Sequence, residues 1–229
     1  MTTITPTDLF DDRIVDDPHT GTRARRLRRL AGAACLPGFV VLMMIGTALD
    51  PLDDEAGIAT QVGQAVGHAG HVQAMAFVEI FAPVLLVGGV LTLVGAIRHK
   101  GAALANLAGV LALISAVVYP AIGLIHLIEA AFVPAGTDAS VTTSIADQFD
   151  SLAGPLPALF LLQPLMYLAM VVLAWRSGLL PKASLVLGAA FIACLVVAHD
   201  GPVGWASLLL GAAWTAWAAW ALVRRGDTN

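Results

Sequence analysis

Six apolar segments, separated by shorter polar stretches, dominate the hydrophobic pattern of this 229-residue chain. They lie at about 30–49, 72–97, 103–130, 155–175, 182–198 and 202–222. A helix needs roughly 20 apolar residues to cross a bilayer, and only the fifth segment is clearly short of that. The pattern therefore predicts an all-α, polytopic membrane bundle of six transmembrane helices, arranged as three outward-opening hairpins.

The polar stretches complete the predicted organisation. Residues 1–29 read as a mostly disordered tail that ends in a basic run, 30–222 as the transmembrane domain and 223–229 as a short second tail. In the first outer loop Ile58, Val62, Ala65 and Val66 recur at helical spacing. In the second, Val141, Ile145, Phe149 and Leu152 do the same. Each pattern predicts a short amphipathic helix over the outer face.

The basic residues orient these helices. Lys and Arg collect in cytoplasmic loops of membrane proteins, and an amino terminus inside the cell puts all 12 of them on that side. An odd number of helices would break this agreement. We therefore expect a multi-pass protein of the cell membrane with both termini in the cytoplasm. The 12 are Arg13, Arg23, Arg25, Arg26, Arg28, Arg29, Arg98, Lys100, Arg176, Lys182, Arg224 and Arg225.

Composition supports the membrane class and limits the function classes. The chain is 58% hydrophobic and 12% charged, with a mean hydropathy of +0.83; soluble domains carry about 25% charged residues. Too little polar sequence remains for a separate soluble domain, and nothing indicates nucleic-acid binding. The predicted partner is the lipid bilayer, and no protein partner is indicated. Cys35 and Cys194 fall inside apolar segments, which is typical of small packing residues.

Ionisable residues inside the spans are the candidates for chemistry, because such residues are costly in a bilayer and usually functional. Glu79 lies about two turns into the second helix, and His126 and Glu129 lie toward the outer end of the third. Other polar residues share helical faces with them or sit at the outer boundary. Together they predict an outward-facing polar cavity lined by His68, His71, Glu79, Tyr119, His126, Glu129, Gln163, Tyr167, His199 and Asp200.

Three function classes remain open for this cavity. His71, His126 and His199, which come from separate helices, could ligate a metal, and a histidine pair could ligate haem. Glu79 could instead serve proton or acid–base chemistry in a small membrane enzyme or proton-coupled carrier. The third class is a structural or accessory membrane protein without catalysis. We favour this non-catalytic interpretation. The cavity is then a candidate ligand site, and no cofactor or catalytic residue is assigned.

The chain resembles uncharacterised multi-pass membrane proteins of high-GC actinobacteria. The resemblance rests on an Ala- and Leu-rich six-helix pattern, on the preference for Arg over Lys, and on the segment Gly67-His68-Ala69-Gly70-His71 that opens the second helix. It spans roughly 30–222 and implies no known activity. Ceramidase- and haemolysin-III-like hydrolases carry paired histidines on their last helix. The sixth segment here has none, which argues against them.

Overall fold

The computed structural model describes residues 18–52, 58–97, 101–132, 162–197 and 201–226, together with positions 140, 141, 144 and 148. This described part of the chain is all-helical and contains no β-strand. Its helices are α1 (Pro18–Leu49), α2 (Ile58–Gly67), α3 (Ala69–Gly95), α4 (Ala102–Phe132), α5 (Leu162–Arg176), α6 (Ala183–Val197) and α7 (Gly201–Gly226).

Four of these helices are long and apolar enough to cross a membrane. The candidate spans are Arg26–Leu49, Ala69–Gly95, Ala103–Ile128 and Gly201–Arg225. The helices α5 and α6 are also apolar, with 15 described residues each. At ~1.5 Å per residue each is shorter than a ~30 Å hydrocarbon core. The predicted all-α class is confirmed, and the four long apolar helices fit the prediction of a membrane protein.

The first helix starts well before the apolar segment that predicted it. It begins at Pro18, so the basic run that precedes position 30 continues the span as helix. Proline is accepted in the first turn of a helix and arginine has a high helix propensity, which explains the extension. Residues 1–17, for which a disordered tail was predicted, lie outside the described residues.

One of the two predicted outer helices lies within the described part of the chain. It is α2, whose Ala65 is almost fully buried and packs with Val72 of α3 and Leu52. The helix thus covers the beginning of α3, from which it is separated only by a turn at His68. Most of the second predicted outer helix, around Ile145, lies outside the described residues.

The six long or apolar helices close into a ring. Contacts join α1 to α3, α3 to α4, α4 to α5, α5 to α6, α6 to α7, and α7 back to α1. The helices α1 and α3 run antiparallel: Gly32, early in α1, packs on Thr92 near the end of α3, whereas Gly46, late in α1, packs on Val78. All six contribute to one apolar core, which includes Trp214 of α7.

The outer surface of this ring is apolar, as contact with lipid requires. Phe77, Phe81 and Val84 of α3 are each more than half exposed, and Val117 of α4 and Val186 of α6 are about 70% exposed. A continuous apolar surface of this kind is unusual in a soluble monomer. This apolar surface favours a helix bundle that is embedded in a lipid bilayer.

The basic side chains mark one end of the bundle, here called the basic end. The start of α1, the α3–α4 connection and the α5–α6 turn lie at this end, because Gly32 packs on Thr92 and Gly101 packs on Leu173. The end of α7 joins them. The described basic side chains at this end are all exposed: Arg26, Arg28, Arg29, Arg176, Lys182, Arg224 and Arg225.

Three of the four tryptophans of α7 recur at three-residue spacing, but they do not form a single stripe. Trp214 is fully buried in the core, Trp217 is half-buried, and Trp220 is 51% exposed. A spacing of three residues falls about 60° short of a full turn at each step. The series therefore rotates from the core to the bundle surface as it approaches the basic end.

Candidate functional site

Glu79 of α3 and His126 of α4 meet inside the bundle. The imidazole Nδ1 of His126 lies 2.8 Å from Oε2 of Glu79, a hydrogen-bonding distance. Glu79 is the only charged residue by sequence between Ala69 and Gly95. Both side chains lie in the half of the bundle away from the basic end, and both keep partial exposure, 21% for His126 and 16% for Glu79.

The contact depends on a glycine that the sequence pattern did not single out. Gly123 lies one turn before His126, where α4 approaches α3 most closely. A Cβ added there would come within 2.7 Å of the carbonyl oxygen of Ala76 and 3.1 Å of the Cβ of Glu79. Small residues let membrane helices approach at backbone distance. The sequence signal that could have identified this glycine is its position on the same face of α4 as Tyr119 and His126.

A second polar contact lies deeper, between α4 and α5. The amide Nε2 of Gln163 donates a hydrogen bond to the hydroxyl of Tyr119, and Gln163 is also hydrogen-bonded to Tyr167 one turn further along α5. All three side chains are buried. The edges of Phe39 and Phe191 pack against the two tyrosine rings, with centroids 6.4 and 4.8 Å apart.

The two polar contacts are electrostatically connected. Glu79 lies within Coulombic range of the Tyr119 hydroxyl. Tyr119 and His126 are seven residues apart on α4 and so share one face. Polar groups therefore extend from the Glu79–His126 pair toward the middle of the bundle. Imidazole and carboxyl groups can exchange a proton along their hydrogen bond, and a carboxylate in a low-dielectric site attracts a cation.

The histidines predicted near the start of α3 lie apart from the pair. Residues 68, 71, 75 and 79 are not on one continuous helix, because the chain turns at His68 before α3 begins. His68 and His71 are exposed, with their rings 6.0 Å apart. His71 precedes Glu79 by eight residues, roughly 12 Å along the helix axis.

The metal-site prediction is only partly covered by the structure. Among the described residues no three His, Cys, Asp or Glu side chains lie close enough together to hold a metal ion. His199 and Asp200 lie outside the described residues, as does the side chain of Glu129. A metal or haem at His71, His126 and His199 therefore stays a prediction.

Further polar side chains are buried in the bundle, on α4 and α7 among others. Ser115, on the same face of α4 as Tyr119, donates to the Leu111 carbonyl at 3.0 Å and so is satisfied within its own helix. On α7 the hydroxyl of Ser207 and the indole Nε1 of Trp214 are buried and have no hydrogen-bond partner among the described residues. Sequence reasoning missed Ser207, because a lone serine in an apolar helix has no distinguishing pattern.

Comparison with known proteins adds no relative from which a role for these residues could be transferred. No protein-family model, no curated protein and no solved structure matches this chain.

Proposed function

We propose that this chain is a non-catalytic, six-span protein of the cell membrane that binds a small ligand from the outer side, at a polar site built around Glu79 and His126. The observation that carries the proposal is their 2.8 Å hydrogen bond between two apolar, span-length helices. Burying two ionisable groups in such a setting is costly, and a purely packing role is served at lower cost by apolar residues.

The ring supports six crossings. The short described helices α5 and α6 lie between α4 and α7 and complete the closed circuit of contacts. Apart from Arg176 at the basic end, their exposed side chains are apolar, Leu168 on α5 and Val186 on α6 among them. A helix in that position faces the same lipid as its neighbours. The positive charges at the basic end support a cytoplasmic location for that end and, with six crossings, for both termini.

The same proposed orientation supports a site that opens toward the outside of the cell. The Glu79–His126 pair lies in the half of the bundle opposite the basic end, and its two side chains are partly exposed. The deeper Tyr119–Gln163 contact is buried. Exposure that decreases toward the centre is the expected arrangement for a recess that opens at the outer face.

Cysteine accessibility tests whether water reaches the site, whatever ligand it binds. In a background with Cys35 and Cys194 replaced by alanine, His126→Cys should react with a membrane-impermeant methanethiosulfonate reagent added to intact cells. The matched control is Leu124→Cys, two residues away on α4 and 53% exposed on the apolar surface. It should stay unmodified, because thiols react as thiolates and lipid suppresses ionisation.

The opposite result would contradict the proposal of a site that opens to the outside. If His126→Cys is unreactive from outside while His71→Cys reacts, water does not reach the pair. If Leu124→Cys reacts as fast as His126→Cys, the two positions are equally hydrated and no distinct recess exists.

The same labelling tests the topology. Ser140→Cys should be modified in intact cells, whereas Lys182→Cys should require permeabilised cells. Both positions are exposed, so accessibility of the thiol within the protein does not limit the comparison. Labelling of both on one side of the membrane would contradict six crossings.

A proton-coupled carrier is the second candidate, and the pair itself favours it. A histidine hydrogen-bonded to a carboxylate can pass a proton along that hydrogen bond, and intramembrane pairs of this kind mark proton paths. Proteoliposomes with a trapped pH indicator distinguish the carrier from the non-catalytic binding protein. Substrate-dependent proton flux that Glu79→Gln abolishes would establish the carrier, and its absence would leave the non-catalytic binding role.

A further inference from the structure

Four basic side chains lie at or near the turn between α5 and α6. Arg176 ends α5 and Lys182 precedes α6, and both are exposed. The end of α7 adds Arg224 and Arg225, because Nη2 of Arg225 donates a 3.0 Å hydrogen bond to the carbonyl of Ser177. These four side chains with the connecting turn are called the basic turn below.

The backbone holds this turn in a defined shape. The amide of Leu180 donates to the carbonyl of Ala174 at 3.0 Å, and Gly178 takes the left-handed conformation, with φ +69°, that lets the chain reverse. Leu179 and Leu180 are buried and anchor the turn to the core. A preorganised backbone lowers the entropy that binding must overcome.

Aromatic residues place the basic turn at the depth of lipid headgroups. Trp175 and Trp220 lie beside it and are 36% and 51% exposed. Tryptophan favours the membrane–water interface, with its ring at headgroup level. The guanidinium of Arg224 lies 3.8 Å from the centre of the Trp220 ring, which fixes one positive charge at that depth.

From these observations we infer that the basic turn binds the phosphodiester headgroup of an anionic phospholipid of the cytoplasmic leaflet. Among the described residues no acidic side chain lies at the basic end. The chain as a whole has a formal charge of −4, so attraction to an anionic lipid must be local. This inference rests on the proposed membrane topology but not on the Glu79–His126 site.

Lipid titration of the full chain in neutral detergent micelles tests the inference. Phosphatidylglycerol should raise the melting temperature in a saturable way, and phosphatidylcholine at the same mole fraction should not. Each basic residue near an anionic surface strengthens binding about fivefold, so R176Q/K182Q should weaken the apparent phosphatidylglycerol affinity roughly 25-fold. The charge-conserving R176K/K182R should retain binding, which separates charge from folding.

The matched control removes two charges elsewhere at the basic end. Arg28 and Arg29 are exposed at the start of α1, and R28Q/R29Q should keep the affinity within about fivefold of the unmodified chain, the effect of one charge. Equal weakening by the two double variants would overturn the inference in favour of diffuse attraction. Equal stabilisation by phosphatidylcholine, or displacement of the lipid by millimolar inorganic phosphate, would also overturn it.

Each result is separable from the proposed function. Loss of phosphatidylglycerol binding in R176Q/K182Q does not alter thiol labelling at position 126, and a failed labelling experiment leaves the lipid titration unchanged. Melting of each variant in lipid-free micelles verifies that the fold is retained, which is expected because Arg176 and Lys182 are exposed.

Discussion

Replacing Gly123 with alanine should force α3 and α4 apart at the Glu79–His126 contact. The new Cβ would lie 2.7 Å from the carbonyl oxygen of Ala76 and 2.9 Å from Cγ1 of Ile80. The Ala76 atom belongs to the backbone and cannot rotate away. Since comfortable separations are about 3.5 Å, the helices must separate by roughly 0.8 Å.

The energetic consequence combines two opposing terms. Overpacking in a close-packed interior costs about 1–3 kcal/mol, whereas alanine is about 1 kcal/mol better than glycine inside a helix. The expected net effect is therefore a destabilisation of up to about 2 kcal/mol. The same separation would stretch the Glu79–His126 hydrogen bond beyond the ~3.2 Å limit of effective N–H···O geometry.

Reversible unfolding in mixed micelles measures the effect, with Gly109→Ala as the matched control. Gly109 lies on the same helix and an added Cβ would meet no atom within 4 Å, so that variant should be neutral or stabilised by up to about 1 kcal/mol. If Gly123→Ala proves as stable as Gly109→Ala, the close approach of α3 and α4 is refuted.

Three further predictions concern single contacts. A double-mutant cycle of Glu79→Gln and His126→Asn should give a coupling free energy of about 1 kcal/mol, and zero coupling would contradict the hydrogen bond. Ser207→Ala should raise the free energy of unfolding by about 1 kcal/mol, because its buried hydroxyl has no hydrogen-bond partner within the described part of the chain. Thr215→Val should bring no gain, because the Thr215 hydroxyl is already hydrogen-bonded. Gly178→Ala should lower the melting temperature, since its φ of +69° costs an L-residue about 1–2 kcal/mol.

The sequence located the helices well because the length and apolarity of a membrane segment depend on consecutive residues. The helices α3 and α4 begin and end within a few residues of the apolar segments predicted at 72–97 and 103–130. The start of α1 differed more from the prediction: the helix begins at Pro18, whereas the apolar segment begins at about 30, because the basic run between them forms helix without being apolar. Gly67 and Gly70 marked the region where the chain turns before α3.

The sequence predicted only part of the candidate site. Glu79 stands out as an acid in an apolar span, but the spacing of residues along two helices does not determine which faces meet. That pairing follows from the close approach at Gly123, which is a tertiary feature. The bond between Gln163 and Tyr119 likewise joins residues on different helices, and helical periodicity predicts only that each faces inward.

The closed ring of helices has a consequence for the order in which the chain is made. The last helix, α7, packs on the first, α1, yet the ribosome begins α7 about 150 residues after it completes α1, on the order of ten seconds at usual rates of synthesis. Throughout that interval one flank of α1 faces lipid or an insertion chaperone instead of its final neighbour. Truncation before Gly201 should therefore leave α1 open to capture by membrane quality-control proteases, even though the helix pairs that do not involve α7 are already present.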